Sequence, residues 1–460
     1  MEGFKTIIEP FRIKSVEPIQ FSNWEERMEF LKKANYNVFR LNAIEVMIDF
    51  LTDSGTSAMS SKQWSGIMQG DESYAGASSW HKLRDAIHLL TGHEVIFPVH
   101  QGRAGERMLY GILGGKDKIF ISNSHFDTTR ANIELGGAEA IDIPCSESND
   151  PTSSFPFKGN IDLKELEKSI EKFGAQKIAG VIMTVTNNME GGHPVSMENI
   201  RGVAENCKRN SIPLIIDCCR IAENSYFIKK LENGFENKTA TEIAKEIFAY
   251  SDAAIMSAKK DALVNMGGFL TLKDNRWSDA CRQMLVITEG FPTYGGLSGR
   301  DMEAMAVGLS EGFEEPYLQY RLQSTSFLGE ILQKLRIPVL FPFGGHAVYV
   351  DAGALFPHIP AWEYPGQALA AELYLTGGLR ASEIGSVMRG KYSENGDLIP
   401  ATKELVRLAI PRRVYTQSHF EYVGEIFKKV SDRRDKIKGY KIIEEPQFLR
   451  HFTCKFEPIL

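Results

Sequence analysis

Ile215-Ile216-Asp217-Cys218-Cys219-Arg220 and Met256-Ser257-Ala258-Lys259-Lys260 decide how this chain is read. Each closes a short apolar run with the length of a buried strand. The first ends in a carboxylate beside an arginine, the second in a serine followed by two lysines. The 43 residues from Asp217 to Lys260 suffice for a crossover helix and a further strand, so a parallel sheet would bring both groups to one edge. An acid there can keep a pyridine nitrogen protonated and a lysine there can form a Schiff base, the two groups that pyridoxal 5′-phosphate requires. Either segment alone is ordinary, because an Asp after a strand is commonly a turn or cap residue and paired lysines commonly sit in solvent.

A third segment gives the pair its context. Pro98-Val99-His100-Gln101-Gly102-Arg103-Ala104-Gly105-Glu106 follows the apolar run Val95-Ile96-Phe97 and opens a helix-like stretch. Backbone N–H groups at a helix start, with Arg103 beside them, form a site for an anion such as a phosphate. A nearby P-loop look-alike, Gly111-Ile112-Leu113-Gly114-Gly115-Lys116, has Tyr110 where the first glycine belongs and Asp117 after the lysine, and is rejected. His81 and His88 lie two helical turns apart, roughly 10 Å of rise, too far for one metal ion.

The 460 residues can bury large cores and predict about two domains, and the 43% hydrophobic content is that of a globular protein. A formal net charge of −6 provides no basic field for nucleic acid or an anionic membrane, and neither is expected as a partner. Six scattered cysteines without CxxC spacing predict reduced thiols. Met1-Glu2-Gly3-Phe4-Lys5 has no basic region leading into a long apolar one, and a cytoplasmic location is expected.

Candidate strands at 95–97, 118–122, 140–143, 178–185, 213–217, 253–257 and 268–272 alternate with helical stretches such as 163–173, where Leu163, Leu166, Ile170 and Phe173 share a face. Asp162 can cap that helix and Gly174 can end it. Such alternation predicts an α/β fold with a mainly parallel sheet covered on both faces. After Pro292-Thr293-Tyr294-Gly295-Gly296 the pattern changes to helices, a strand at 344–351 and a helix at 368–375. The expected division is an N-terminal arm with part of a small domain at 1–50, a large cofactor-binding domain at 51–305 and a smaller α+β domain at 306–460, with the substrate cleft between domains.

Ordered segments along nearly the whole chain carry a resemblance. They include Leu51-Thr52-Asp53-Ser54-Gly55-Thr56, Gly70-Asp71-Glu72-Ser73-Tyr74-Ala75-Gly76, His100-Gln101-Gly102-Arg103, Phe126-Asp127-Thr128-Thr129, Ser257-Ala258-Lys259-Lys260-Asp261, Glu289-Gly290-Phe291-Pro292-Thr293-Tyr294-Gly295-Gly296 and Ile410-Pro411-Arg412. On these the sequence resembles the β-eliminating amino-acid lyases, the family of tryptophanase and tyrosine phenol-lyase. The resemblance implies a type I pyridoxal-phosphate (aspartate aminotransferase-like) fold, a homotetramer with active sites at dimer interfaces, and activation by potassium or ammonium. It implies that Lys260 is the Schiff-base lysine and that Gln101, Gly102, Arg103, Ser257 and Lys259 bind the phosphate. Phe126 would stack on the ring, Asp217 pair with the pyridine nitrogen, and Asn188 and Arg220 hold the 3′-oxygen. Arg412 would clamp the amino-acid carboxylate with Thr52, Ser54 and Asn188. Glu72 and the carbonyls of Gly55 and Asn265 would hold the monovalent cation. Tyr74 would donate a proton, and Tyr294 would reach a neighbouring subunit's cofactor.

Two further positions resemble those of the indole-releasing members: Asp127 within Phe126-Asp127-Thr128-Thr129 and His451 within Leu449-Arg450-His451-Phe452-Thr453. An acceptor carboxylate can take an indole N–H, with an imidazole supporting it. Ile384 stands where the phenol-releasing members place an arginine, which disfavours tyrosine. The implied reaction is β-elimination of L-tryptophan to indole, pyruvate and ammonium. Ser382, where an apolar residue is usual, and the order Ala104-Gly105 depart from the family pattern and leave cysteine or an S-substituted cysteine open as substrate. A related β-lyase acting on tyrosine, an aminotransferase and a non-catalytic pyridoxal-phosphate-binding module are the remaining alternatives.

Overall fold

A computed structural model describes residues 7–150 and 153–459. The chain divides into two compact units, one formed by Ser54–Arg321 and the other by the chain before and after it, up to Asp53 and from Leu322. The second division falls inside the helix Glu315–Lys334. No helix among the described residues is long and apolar enough to cross a membrane.

The terminal unit holds strand β1 (Ile48–Phe50), and the central unit holds β2 (Val95–Val99), β3 (Ile119–Ser122), β4 (Glu139–Asp142), β5 (Ile178–Thr184), β6 (Leu214–Asp217), β7 (Ala253–Ser257) and β8 (Gly268–Leu272). The central seven strands make one sheet in the order β2-β8-β7-β6-β5-β3-β4. Strands β4, β3, β5, β6 and β7 run parallel, while β8 is antiparallel to both of its neighbours. The parallel arrangement follows the sequence reading, and β8 is the departure from it. Residues 258–267 between β7 and β8 are too few for a crossover helix, so the chain returns in the opposite direction. Every residue of β5 is buried, as a central strand covered on both faces requires.

The helices form where local chemistry closes their ends. In Leu163–Phe173 the Asp162 carboxylate accepts the N–H groups of Lys164 and Glu165, and Gly174, at φ +81°, receives the chain as the helix stops. Leu166 and Ile170 are buried, while Leu163 and Phe173 lie half-buried at the edges of the same face.

In the terminal unit, β9 (Ala347–Asp351) and β10 (Leu379–Ile384) join β1 and the strand Leu405–Ala409 in the order β1, β10, Leu405–Ala409, β9. Only β1 and β10 are parallel in it. The helix expected at 368–375 runs Pro365–Gly377, because Pro365 suits the first helical position and Gly378 ends it at φ +67°. Its buried face shares a core with Leu31, Phe50, Val348, Leu408 and Phe427.

Ile182, wholly buried in β5, tests the central core. Ile182→Ala is expected to lower stability by about 2–5 kcal/mol, measured as a shift in the urea unfolding midpoint, with circular dichroism of the native state unchanged.

Candidate active site

The turn after β2 and the end of β7 meet because β8 lies between them. Gly268 is in register with Val99 on one side and Ser257 on the other, and the Gly267 amide donates to the His100 carbonyl at 2.8 Å. A Cβ on Gly268 would stand 3.0 Å from the Gly102 nitrogen, and a Cβ on Gly102 would stand 2.8 Å from the Ser257 nitrogen. Two residues without side chains therefore let the start of the helix Gly102–Leu113 close over the end of β7. Gln101 is the cap of that helix, in extended conformation, and Arg103 is exposed on its first turn. His100 is fixed by Glu289, whose carboxylate accepts the His100 amide at 3.1 Å and lies 2.5 Å from the imidazole Nδ1.

Lys259 and Lys260 follow Ser257, and both are half-buried. Burial, then the neighbouring Lys260 and Arg103, hold the Lys259 ammonium below its ordinary pKa. Three cationic groups thus crowd beside a helix start whose N–H groups have no intrahelical acceptor. Gly55 packs on the same turn: its amide donates to the Lys259 carbonyl at 2.8 Å. At φ +76°, with a notional Cβ only 2.6 Å from Lys259 Cε, this position requires glycine.

Asp217 ends β6, in register with Thr184 of β5 and Ile255 of β7, and only 9% of its surface is exposed. Its carboxylate accepts the Cys219 amide at 3.3 Å. Cys219 connects the two opening segments, since its sulfur accepts the Ser257 amide at 3.2 Å and lies 4.0 Å from Lys260 Nζ. Burial, followed by the charge of Asp217, pushes this thiol up to about 12, so it stays protonated. Arg220 is buried, and its amide donates to the Val185 carbonyl beyond the end of β5. Asp261 accepts the amides of Ala222 and Glu223, tying the residue after Lys260 to the helix that Arg220 opens. Asn188 is buried in the chain that leaves β5.

Phe126 and Asp127 sit half-buried at the start of the helix Asp127–Leu135. That helix is held to Gly102–Leu113 by Glu106, which no local pattern singled out. The Thr129 hydroxyl donates to Glu106 at 2.5 Å and the Asn132 amide donates at 3.3 Å. Burial, then the charge of Asp217, raises the Glu106 carboxyl to about 7. On the other side of Phe126, His125 is clamped by Asp142, which also pairs with Arg130 at 2.7 Å.

The remaining expected residues fall in separate places. Tyr74 is 69% exposed, with its ring beside Phe291 and Tyr294 at centroid distances of 5.6 and 5.2 Å. The hydrogen bond with Tyr294 raises the Tyr74 phenol above its ordinary pKa. Of the expected cation ligands, Gly55 and Asn265 lie together, the Asn265 side chain donating to the Gly55 carbonyl at 2.9 Å. Glu72 instead pairs with Arg300 at 2.9 Å on the surface. Ser54 is half-buried in the central unit. In the terminal unit, Thr52 is half-buried beyond β1. Arg412 is wholly buried and paired with Asp53 at 2.9 Å, a partner the sequence reading did not assign. Ser382 and Ile384 are buried on β10, and His451 is buried with its ring against Phe39 and Phe452.

The residues at the edge of the central sheet fit pyridoxal 5′-phosphate. A glycine-lined helix start with Arg103, Ser257 and Lys259 suits a phosphate dianion. Lys260 offers an amine and Asp217 a buried carboxylate on the adjacent strand end.

The family model for β-eliminating lyases matches residues 49–426. A tryptophanase from Salinibacter ruber is 54% identical over 98% of this chain and 96% of its own. A tyrosine phenol-lyase from Pasteurella multocida is 45% identical over 98% of each chain. Among solved structures, a threonine aldolase from Leishmania major superposes with a TM-score of 0.57 at 13% identity, covering 83% of this chain and 99% of its own. A serine palmitoyltransferase from S. paucimobilis with bound pyridoxal phosphate gives 0.57 at 12% identity, covering 85% and 89%. The fold is that of the type I pyridoxal-phosphate enzymes, and the chain belongs to the β-eliminating lyase family.

Proposed function

We propose that this protein is a pyridoxal-phosphate-dependent enzyme that converts L-tryptophan and one water molecule into indole, pyruvate and ammonium. The observation that carries this reading is the convergence of the Gly102 helix start, Lys259, Lys260 and Asp217 at one edge of the sheet. It occurs in a chain that matches a tryptophanase over 98% of its length.

Gln101, Gly102, Arg103, Ser257 and Lys259 hold the phosphate, Phe126 covers the ring, and Asn188 and Arg220 bind its 3′-oxygen. Bound pyridoxal phosphate supplies an electron sink for the charge left when the α-proton departs. Lys260 Nζ holds the cofactor and then removes that proton from the substrate's α-carbon. Asp217, buried at the end of β6, keeps a proton on the pyridine nitrogen. Arg412, held by Asp53, receives the substrate carboxylate together with Thr52, Ser54 and Asn188. Tyr74 delivers a proton to indole C3, without which the ring would have to leave as a carbanion. Asp127 accepts the indole N–H, and His451 supports the leaving-group pocket with Ser382 and Ile384 as its walls. A potassium or ammonium ion at Gly55, Glu72 and Asn265, a homotetramer in which Tyr294 reaches a neighbouring cofactor, and a cytoplasmic location complete the reading. The domain limits belong to it as well: an arm and part of a small domain at 1–50, a large domain at 51–305, and a small domain at 306–460.

One observation favours a second reading. Ser382, where the family resemblance leads one to expect a bulkier apolar residue, is wholly buried with its hydroxyl on the Glu383 carbonyl at 3.3 Å. β-Elimination from S-substituted cysteine suits such a wall.

Purified enzyme supplied with pyridoxal phosphate and potassium is expected to release pyruvate and indole in equal amounts from L-tryptophan. Pyruvate from S-ethyl-L-cysteine alone would overturn indole as the leaving group. Lys260→Ala is expected to lower pyruvate release by at least about 10³-fold while the protein remains folded. Gly102→Ala is expected to weaken pyridoxal-phosphate binding by about tenfold or more, read from cofactor absorbance in a titration, because its methyl group meets the Ser257 backbone.

A further inference from the structure

A network of buried charges lies behind Ser382 and Ile384 in the terminal unit. The four-residue helix Ser386–Arg389 follows β10 and is too short to stand by itself. Side chains hold both of its ends. Glu383 accepts the amides of Val387 and Met388, each at 3.1 Å. Glu404 accepts the Ser386 amide at 3.2 Å and also the Ser386 hydroxyl, which in turn accepts the Ala401 amide at 3.0 Å. The two carboxyl groups converge on the same face of Gly385, where a Cβ would collide with both.

The carbonyl groups of that helical turn go to Arg450. Its Nε donates to Val387 at 2.6 Å, and Nη2 donates to Ser386 at 2.5 Å and to Gly390 at 3.0 Å. The guanidinium lies over the Tyr392 ring and meets Glu445 at 3.3 Å. Arg450 opens the turn Arg450–Phe452, whose next residue is His451. That turn is anchored from behind by Asn37, which donates to the carbonyls of His451 and Cys454 at 3.2 and 2.9 Å. The strand end carrying Ser382 and Ile384 and the turn carrying His451 are therefore joined through one helical turn, with acids on its N–H groups and an arginine on its carbonyls.

We propose that Glu383, Glu404 and Arg450 form a buried latch that positions Ile384, Ser382 and His451 as one rigid wall for the leaving group. They are positioning residues, and the proposal rests on the functional reading above. Burial, then the charge of Glu404, holds the Glu383 carboxyl up to about 8. Asp351, Cys454, Glu445, Tyr364 and Tyr392 are the other titratable or charged groups around the latch.

A planar guanidinium serves three carbonyls at fixed angles, which one ammonium cannot do. R450K, and S386A as the milder variant, are to be compared with wild type on L-tryptophan and on S-ethyl-L-cysteine, whose leaving group needs no ring-shaped wall. The expected result is a fall of about tenfold in kcat/KM for tryptophan, a change of less than about threefold for the cysteine derivative, and an unaltered cofactor absorption spectrum. Equal losses on both substrates, or none, with wild type releasing indole, overturn the latch and leave the functional reading intact. Wild type that releases no indole overturns both. The Glu383 carboxyl has its own readout. A carboxyl whose folded pKa is raised contributes stability that is full below its unfolded pKa and is lost as pH rises through about 8. The melting temperature of wild type is therefore expected to fall more steeply than that of E383Q between pH 6 and pH 9, and equal slopes overturn a protonated Glu383 within the latch.

Discussion

The antiparallel entry of β8 between β2 and β7 is the constraint on which the rest of the central unit depends. Its first residue, Gly268, sets the distance between the helix that begins at Gly102 and the turn that carries Ser257, Lys259 and Lys260. A side chain there would push the two apart. The consequence reaches beyond packing, since free N–H groups at a helix start are useful to an anion only if cations face it from another segment. Parallel β5, β6 and β7 then place Asp217 one strand away from Lys260's turn, at the carboxyl ends of the strands where open α/β sheets gather their chemistry.

Much of this was legible in the sequence because the informative residues end apolar runs. Asp217, Ser257 and Gly102 each stand at the point where a buried strand stops, or just beyond it, and strand ends can be read from hydrophobicity alone. The reversal of β8 was also present, in the shortness of residues 258–267, but alternation of strands and helices hid it. The polar partners were not legible. Glu106 with Thr129, His100 with Glu289, Asp53 with Arg412 and Glu383 with Glu404 join positions 21 to 359 residues apart. A buried carboxylate looks like a surface one until its neighbours are known. Asp53 and His100 lay inside quoted motifs and still received no role, because their partners belong to other segments.

The two units solve the same problem differently. In the central unit an acid close to the expected cofactor residues, Glu106, is kept near neutrality by burial and by Asp217, so the sheet edge does not gather a second full negative charge. In the terminal unit Arg412 and Asp53 are both wholly buried and neutralise each other. Such a pair adds little net stability, yet it ties one end of the guanidinium to both the carbonyl and the carboxylate of Asp53.

The crowding of Lys259, Lys260 and Arg103 has a consequence for how the protein is completed. Like charges held together by the fold repel, and that repulsion adds to burial in holding the Lys259 ammonium below its ordinary pKa. A dianion placed among them acts as a counter-ion to the native state and has no comparable seat on the unfolded chain. Free energy of ligand capture thereby becomes free energy of folding. The polypeptide alone is an electrostatically unfinished object, and a dianion seated at this helix start is expected to raise its resistance to heat.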